Sequence, residues 1–211
     1  MTVTKEKGRI GIFGGTFDPI HHGHLIIAQS ALETFNLNKV IFIPAGVPPH
    51  KSTDVVTSSE HRFKMVQLAI QLHPHFQISD RELVQEGPSY TYHTLTYFQQ
   101  LYPKADLYLI VGADSMMEIN TWYRYKEWIA IPNILVMNRP GSSADQLQQR
   151  INHYQNAYGA RIQLIHSPWL EIASSQLRKR AAEGKSLHYF VPETVAEYIV
   201  SHQLYKSRWC L

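Results

Sequence analysis

Short apolar runs alternate along this chain with segments whose apolar positions recur at the helical period. Arg9 to Phe13, Lys39 to Pro44, His75 to Ser79, Asp106 to Val111, Asn133 to Met137 and Arg161 to His166 have the length of buried strands. After the first of these, Leu25, Ala28, Leu32 and Phe35 are spaced as one helix face, which leaves Gln29, Glu33 and Asn36 to point outward. Comparable faces are predicted at Phe63, Val66 and Ile70, and at Leu95 and Phe98. Pro192 to Leu204 opens with Pro-Glu and sets Val195 and Ile199, with Tyr198, on one side, which predicts a closing helix. Strands alternating with helices in this way predict βαβ units, hence an α/β fold with a parallel sheet.

At 211 residues, 44% of them hydrophobic and 18% charged, the chain can bury a large core, which excludes wholesale disorder and a multidomain scaffold. Lys and Arg number 20 against 17 Asp and Glu, with no run of like charge, so no nucleic-acid partner is expected. Cys210 is the one cysteine, which rules out an internal disulfide and a Cys-rich zinc site and suits a reducing compartment. Neither the start, MTVTKEKGRIGIFGG, nor any later segment has the apolar length of a signal peptide or membrane span. A cytoplasmic protein with no membrane partner is expected. Self-association is left open. The one long irregular stretch is Ala45 to Ser58, with its Pro-Pro and Ser/Thr content, and such loops in compact α/β domains commonly carry function.

The first strand runs into Gly14-Gly15-Thr16-Phe17-Asp18-Pro19-Ile20-His21-His22-Gly23-His24, with the first helix beginning inside that segment. In a doubly wound sheet ligands bind there: glycines admit close backbone approach, and the helix start offers N–H groups to an anion. His21 and His24, three apart, can share a face and donate to phosphate oxygens. A metal site at these histidines lacks an accompanying Cys or carboxylate cluster, so no metal is expected to be held by protein ligands.

A second anion site is predicted after the strand at Arg161 to His166, where Ser174 and Ser175 precede a helix pattern and Arg178 follows three residues later. A serine at a helix start is ordinarily an N-cap. With Arg178, hydroxyl, helix start and guanidinium can instead converge on one phosphate. Gly184-Lys185-Ser186 is not a P-loop, because its spacing to an upstream glycine is wrong, and Gly184 reads as a helix C-cap. Asp114, past the carboxyl end of the fourth strand, is placed either to accept from ribose hydroxyls or to cap the following helix.

The segment GGTFDPIHHGHL resembles the H-x-G-H signature of the nucleotidyltransferase superfamily, and EIASSQLR resembles its second signature, I-S-S-T-x-x-R. IPAGVPPHK at 43–51, GPSYTYHTL at 87–95, LIVGADSMMEINTW at 109–122 and NRPG at 138–141 are similar to the bacterial nicotinate mononucleotide adenylyltransferases over nearly the whole chain. The resemblance implies a Rossmann-like doubly wound parallel sheet with a small C-terminal helical region. It implies one nucleotidyltransferase domain over 1–211, with a core at about 8–166 and a phosphate-binding and helical region at about 167–211. It implies transfer of an adenylyl group from ATP, accompanied by Mg²⁺, to nicotinate mononucleotide in NAD biosynthesis. His21, His24, Lys51 and Arg178 would act on the reacting phosphates, with Gly14, Gly15, Thr16, Phe17, Gly112, Ser174 and Ser175 also on the ATP side. Thr91, Asp114 and Trp122 would hold the mononucleotide, Trp122 by stacking on its ring, and Arg139 would join them at the ligand phosphate or else serve only the surface.

Two positions depart from the family pattern: Ala173 stands where the second signature has its first serine, and His93 stands where the subfamily has Asp. The remaining alternatives are an adenylyltransferase acting on nicotinamide mononucleotide or pantetheine phosphate, or a non-catalytic nucleotide sensor. The Asp114-to-Trp122 segment argues against pantetheine phosphate, and retention of both histidines and Arg178 argues against a sensor.

Overall fold

A computed structural model describes residues 8–48, 56–137, 144–168 and 170–206. Lys51, Arg139, Trp169 and Cys210 lie outside them. The six predicted strands are present as β1 (Arg9–Gly15), β2 (Lys39–Pro44), β3 (Phe76–Ile78), β4 (Asp106–Gly112), β5 (Asn133–Met137) and β6 (Arg161–Ile165). They form one sheet in the order β3-β2-β1-β4-β5-β6, parallel at every pairing, and the order reverses between β1 and β4.

Alternation of side chains sends each strand's apolar residues to opposite faces, which is why these runs are apolar almost throughout. Ile10, Ile12, Ile41, Leu107, Leu109, Ile134 and Val136 pack against α3 (Thr91–Leu101), α4 (Ala113–Glu118), α5 (Tyr125–Trp128) and α6 (Ala144–Tyr158). Phe13, Val40, Phe42, Tyr108, Ile110 and Leu135 pack on the other face against α1 (His22–Thr34), α2 (Ser59–Ile70), α7 (Ser174–Ala182) and α8 (Glu193–Ser201). A turn of 3-10 helix, Ile119–Thr121, joins α4 to the loop before α5. No described helix is long and apolar enough to cross a membrane.

The predicted face of α1 is present: Ala28 and Leu32 are buried, and Leu25 and Phe35 pack partly buried against the same core. On α2 the buried stripe is rotated from the expected one. Val66 and Ile70 are buried as predicted, but Arg62 and Met65 fill the remaining places while Phe63 is half-buried. Periodicity counts a cation as a surface residue, and only tertiary contacts supply the carbonyl partners that let Arg62 turn inward. The closing helix ends at Ser201 rather than Leu204, because Gln203 and Tyr205 adopt positive φ. Gly184, at φ +70°, ends α7: its N–H bonds Ala181 and the Lys185 N–H bonds Arg180, the pattern of a glycine C-cap.

The pairings Gly15 with Pro44 and Gly112 with Met137 align the carboxyl ends of the central strands. Everything that follows β1, β2, β4 and β5 therefore leaves the sheet along one edge, beside the β1/β4 reversal.

Candidate active site

Two clefts open along that edge. The larger, of about 570 Å³, is lined by His21, Gly23 and His24 from the start of α1, by Gly112 at the end of β4, and by Ala173 to Gln176 with Arg178 from the start of α7. The smaller, of about 380 Å³, is lined by Gly14, Gly15 and Thr16 after β1, by Ala45 and Pro48 after β2, and by Glu82, Thr91 and Trp122 among others. Val111 and Gly112, chain neighbours, stand on opposite sides of the division.

Two helix starts meet in the larger cleft. His21 is the N-cap residue of α1 and is 5% exposed; His24 follows in the first turn. The two rings stack at 3.7 Å between centroids, and the His21 backbone N–H donates to His24 Nδ1 at 3.3 Å. A ring nitrogen that accepts carries no proton, so the proton of a neutral His24 lies on Nε2. Phe17 packs edge-on against His24 at 5.1 Å and Phe13 at 5.5 Å. It is 2% exposed and lines neither cleft, so its ring supports His24 from beneath.

Ala173, not a serine, is the N-cap residue of α7, and no side chain caps the helix. The Ser174 hydroxyl donates to the Pro19 carbonyl at 3.0 Å, tying α7 to the turn before α1, while Ser175 is exposed on the cleft wall. The ordinary alternative, in which Ser174 or Ser175 caps the helix, is not adopted: both lie inside it, and no hydroxyl caps its first N–H groups. Arg178 Nη1 donates to the Asp18 carbonyl at 2.7 Å across 160 residues of sequence. The structure thus brings His21, His24, Gly112, Ser174, Ser175 and Arg178 to one cleft.

The smaller cleft has a different character. Trp122 is half-buried and tilted against the fully buried Trp128 at 5.9 Å, so Trp128 fills the core and Trp122 presents an aromatic wall. Thr91 is the first residue of α3, whose N-cap residue Tyr90 provides no capping side chain. Tyr90 stacks on Tyr123 at 4.5 Å, and His93 joins that aromatic group, 5.8 Å from Tyr123, without lining the cleft. Asp114 sits exposed in the first turn of α4 and lines neither cleft, although its neighbours Gly112 and Ser115 each line one. Gly14, Gly15 and Thr16, expected beside ATP, lie on the wall of this smaller cleft.

Three buried polar residues hold these walls, and no motif pointed to two of them, Glu82 and Arg62. Glu82, 7% exposed, accepts from the Thr94 hydroxyl at 2.5 Å. Burial pushes its carboxyl above the usual range, against the opposing pull of the Thr94 and Ser89 hydroxyls and of Arg81. Ser89 in turn accepts from the Gly46 N–H at 2.9 Å, so α3, the loop after β2 and Glu82 form one unit. Arg62, 1% exposed, donates to the carbonyls of Thr57 at 2.9 Å, Thr16 at 2.8 Å and Gly46 at 3.2 Å. It ties the loop after β2, at both of its ends, to the turn after β1. Burial lowers its pKa, partly offset by the nearby Asp18. Asp18 itself, quoted in the first signature without a role, is 2% exposed.

Among the described residues no three His, Cys, Asp or Glu side chains converge as a metal site, and Glu171 is the one acid lining the larger cleft. That donor set suits a cation carried in on phosphate oxygens and water better than one held by protein ligands.

The chain matches the model of the cytidylyltransferase-like family over residues 12–180. It is 42% identical over 200 residues to a Thermoanaerobacter protein named "Probable nicotinate-nucleotide adenylyltransferase", covering 94% of this chain and 95% of that one. A Moorella thermoacetica protein of the same name is 41% identical over 209 residues, 99% of this chain and 96% of its own. Among solved structures, Plasmodium falciparum nicotinic acid mononucleotide adenylyltransferase complexed with NaAD superimposes with a TM-score of 0.75, at 21% identity over 94% of this chain and 97% of that one.

Proposed function

This chain belongs to the cytidylyltransferase-like family, and we propose that it transfers the adenylyl group of ATP to nicotinate mononucleotide, forming deamido-NAD and pyrophosphate in NAD biosynthesis. The observation that carries the reading is the convergence of His21 and His24 at one helix start with Ser175 and Arg178 at another on a single cleft, beside a second cleft walled by Trp122. Relatives about 40% identical and named for this reaction support it.

A phosphate oxygen of the mononucleotide attacks the α-phosphorus of ATP; that P–O bond forms as the bond to the β-phosphate oxygen breaks and pyrophosphate leaves with the electron pair. The attacking monoester is already largely dianionic at neutral pH, its second pKa being about 6, so no general base is required. The protein's task is in-line positioning and neutralisation of charge on the leaving group. His24 and Arg178 act on the ATP phosphates, with the N–H groups at the start of α7 and Ser175 beside them. His21 stands near the reacting phosphates, and Lys51 and Arg139 are assigned the roles the family resemblance implies. Mg²⁺ accompanying ATP would be held by phosphate oxygens and water rather than by these side chains, and would offset the charge of the triphosphate. Residues 1–211 act as one nucleotidyltransferase domain, and a cytoplasmic location fits a reaction that consumes ATP.

In the smaller cleft Trp122 stacks on the pyridine ring and the N–H groups at the start of α3 around Thr91 meet its carboxylate. A nicotinate carboxylate satisfies such donors with two oxygens, whereas the amide brings its own NH₂ against one of them. An unmet buried donor costs about 1–3 kcal/mol, enough for a preference of about 10²-fold at about 1.4 kcal/mol per decade. Pyrophosphate release is measured with ATP and, separately, nicotinate mononucleotide, nicotinamide mononucleotide and pantetheine phosphate. Nicotinate mononucleotide is expected to lead the amide by at least about 10²-fold in kcat/KM. A ratio near one, or faster turnover of pantetheine phosphate, removes the substrate assignment, and no release with any acceptor removes the enzyme.

A further inference from the structure

The C-terminal end of the described chain returns to the larger cleft through a single buried acid. Asp18 lies in the turn between β1 and α1. Its Oδ1 accepts from the Tyr205 hydroxyl at 2.7 Å, across 187 residues of sequence. Its Oδ2 accepts from the Thr57 N–H at 3.3 Å and lies 3.8 Å from Arg178 Nη1, the same nitrogen that donates to the Asp18 backbone carbonyl at 2.7 Å. One residue therefore gathers the end of the loop after β2, the guanidinium that lines the larger cleft, and a hydroxyl beyond the last helix.

We propose that Tyr205 is a positioning residue for adenylyl transfer, which fixes the Arg178 guanidinium against the ATP phosphates by holding the carboxylate of Asp18. The proposal rests on the reading that Arg178 meets those phosphates. A carboxylate with one oxygen tethered can still rotate about its last side-chain bond; with Oδ1 held by Tyr205 and Oδ2 by Thr57 its plane is set. Arg178 Nη1 then has a fixed acceptor, the Asp18 carbonyl at 2.7 Å, and a fixed negative charge, Oδ2 at 3.8 Å, on one side, and the guanidinium is aimed by the two. Preorganised donors act in a transition state because they need no reorientation as charge develops.

Three observations separate this role from packing. Tyr205 adopts φ +65°, a left-handed conformation that bulky residues rarely take, and it does so where its hydroxyl reaches Asp18. Burial, reinforced by the adjoining Asp18, pushes the Tyr205 hydroxyl upward, so it remains a protonated donor at any working pH. The Tyr205 ring packs beside Leu204 against the apolar core, so within Tyr205 packing falls on the ring and donation to Asp18 on the hydroxyl alone.

The test is steady-state pyrophosphate release by Tyr205→Phe, which keeps the ring and removes one hydroxyl. The expected result is a fall in kcat of about 10-fold with KM for nicotinate mononucleotide within about twofold of wild type. Arg178→Ala alone is expected to lower kcat by about 10²-fold, and adding Tyr205→Phe to it to change kcat by less than about twofold, because residues acting through one another are not additive. Leu204→Ala is expected to lower Tm while leaving kcat and both KM values within about twofold. Wild-type kcat in Tyr205→Phe, or a full 10-fold further loss in the Arg178→Ala background, overturns the proposal. Asp18→Asn, which keeps the size and one acceptor oxygen but not the charge facing Arg178, supplies the answer if Tyr205→Phe does not fold. Its kcat must fall in the same way, and a wild-type value overturns the proposal. Absence of adenylyl transfer in the wild-type chain instead removes the functional reading on which the proposal stands, so the two failures are distinct.

Discussion

The imidazole rings of His21 and His24 lie stacked 3.7 Å apart because the residue between them on the inner face is Gly23. A Cβ at that position would lie 3.0 Å from Cε1 and Nδ1 of His21, so any larger residue obliges the ring to give by a few tenths of an ångström. The spacing of the signature is thus a steric statement: two rings sharing one side of a helix start, with the space between them kept clear.

His24→Ala is expected to lower kcat/KM by about 10²-fold, the scale of removing one preorganised donor. His22→Ala is expected to stay within about threefold, since His22 lines neither cleft and its N–H is bonded to the Phe190 carbonyl. Kinetics on both variants, with folding checked by circular dichroism, decide this; equal losses refute the spacing argument.

Gly112 offers a probe of the ATP side that leaves folding alone. Its φ of −76° and ψ of 159° suit any residue, and an added Cβ would meet nothing within 4 Å. Gly112→Val should therefore fold with a Tm near wild type while its side chain projects into the larger cleft. KM for ATP is expected to rise by about 10-fold or more, with KM for the mononucleotide little changed. An unchanged KM for ATP would place the nucleotide elsewhere.

Glu82 links stability to pH. Its folded pKa lies above the unfolded value, so its contribution is fully present below the ordinary carboxylate range and is lost as pH rises through the folded pKa. Glu82→Gln cannot ionise and escapes that loss. Urea unfolding of both proteins between about pH 4 and about pH 8 should show the variant gaining on wild type as pH rises. A difference that stays constant across the range would mean that Glu82 titrates normally.

Arg62→Met should be costly despite its fit to an apolar helix face. It leaves the carbonyls of Thr16, Gly46 and Thr57 without their donor, and a buried group so deprived costs about 1–3 kcal/mol. Relief of the desolvation borne by the guanidinium offsets part of this, so a net loss of about 2–4 kcal/mol is expected from denaturant unfolding. A neutral or stabilising result would show that the three loop ends are held by other contacts.

Most of the architecture was legible in local pattern. Each of the six strands and the helix faces on α1, α3 and α8 has its counterpart, because period and punctuation are properties of neighbouring residues. The helix starts that bring His21, His24, Ser175 and Arg178 to one cleft were legible too, since donors at fixed offsets near a helix start are visible in short segments. Local pattern was misleading at α2. The inward turn of Arg62 depends on three carbonyls from segments scattered across the fold, and the partner of Ser174, the Pro19 carbonyl, is likewise remote in sequence.

Local pattern alone carried the α/β alternation, the sheet edge along which the two clefts open, and the His and Arg residues found there. The tertiary structure decided which of those residues share a cleft, placing Gly14 to Thr16 with Trp122 and Gly112 with Arg178. It also decided what holds them: Glu82 beneath the α3 start, Arg62 between three loops, and Asp18 between Arg178 and Tyr205. The physical reason is the range of the interactions. Hydrophobic period and helix capping act over a few residues, whereas a buried polar group is tolerable only with partners, and those partners are brought together by packing from distant parts of the chain.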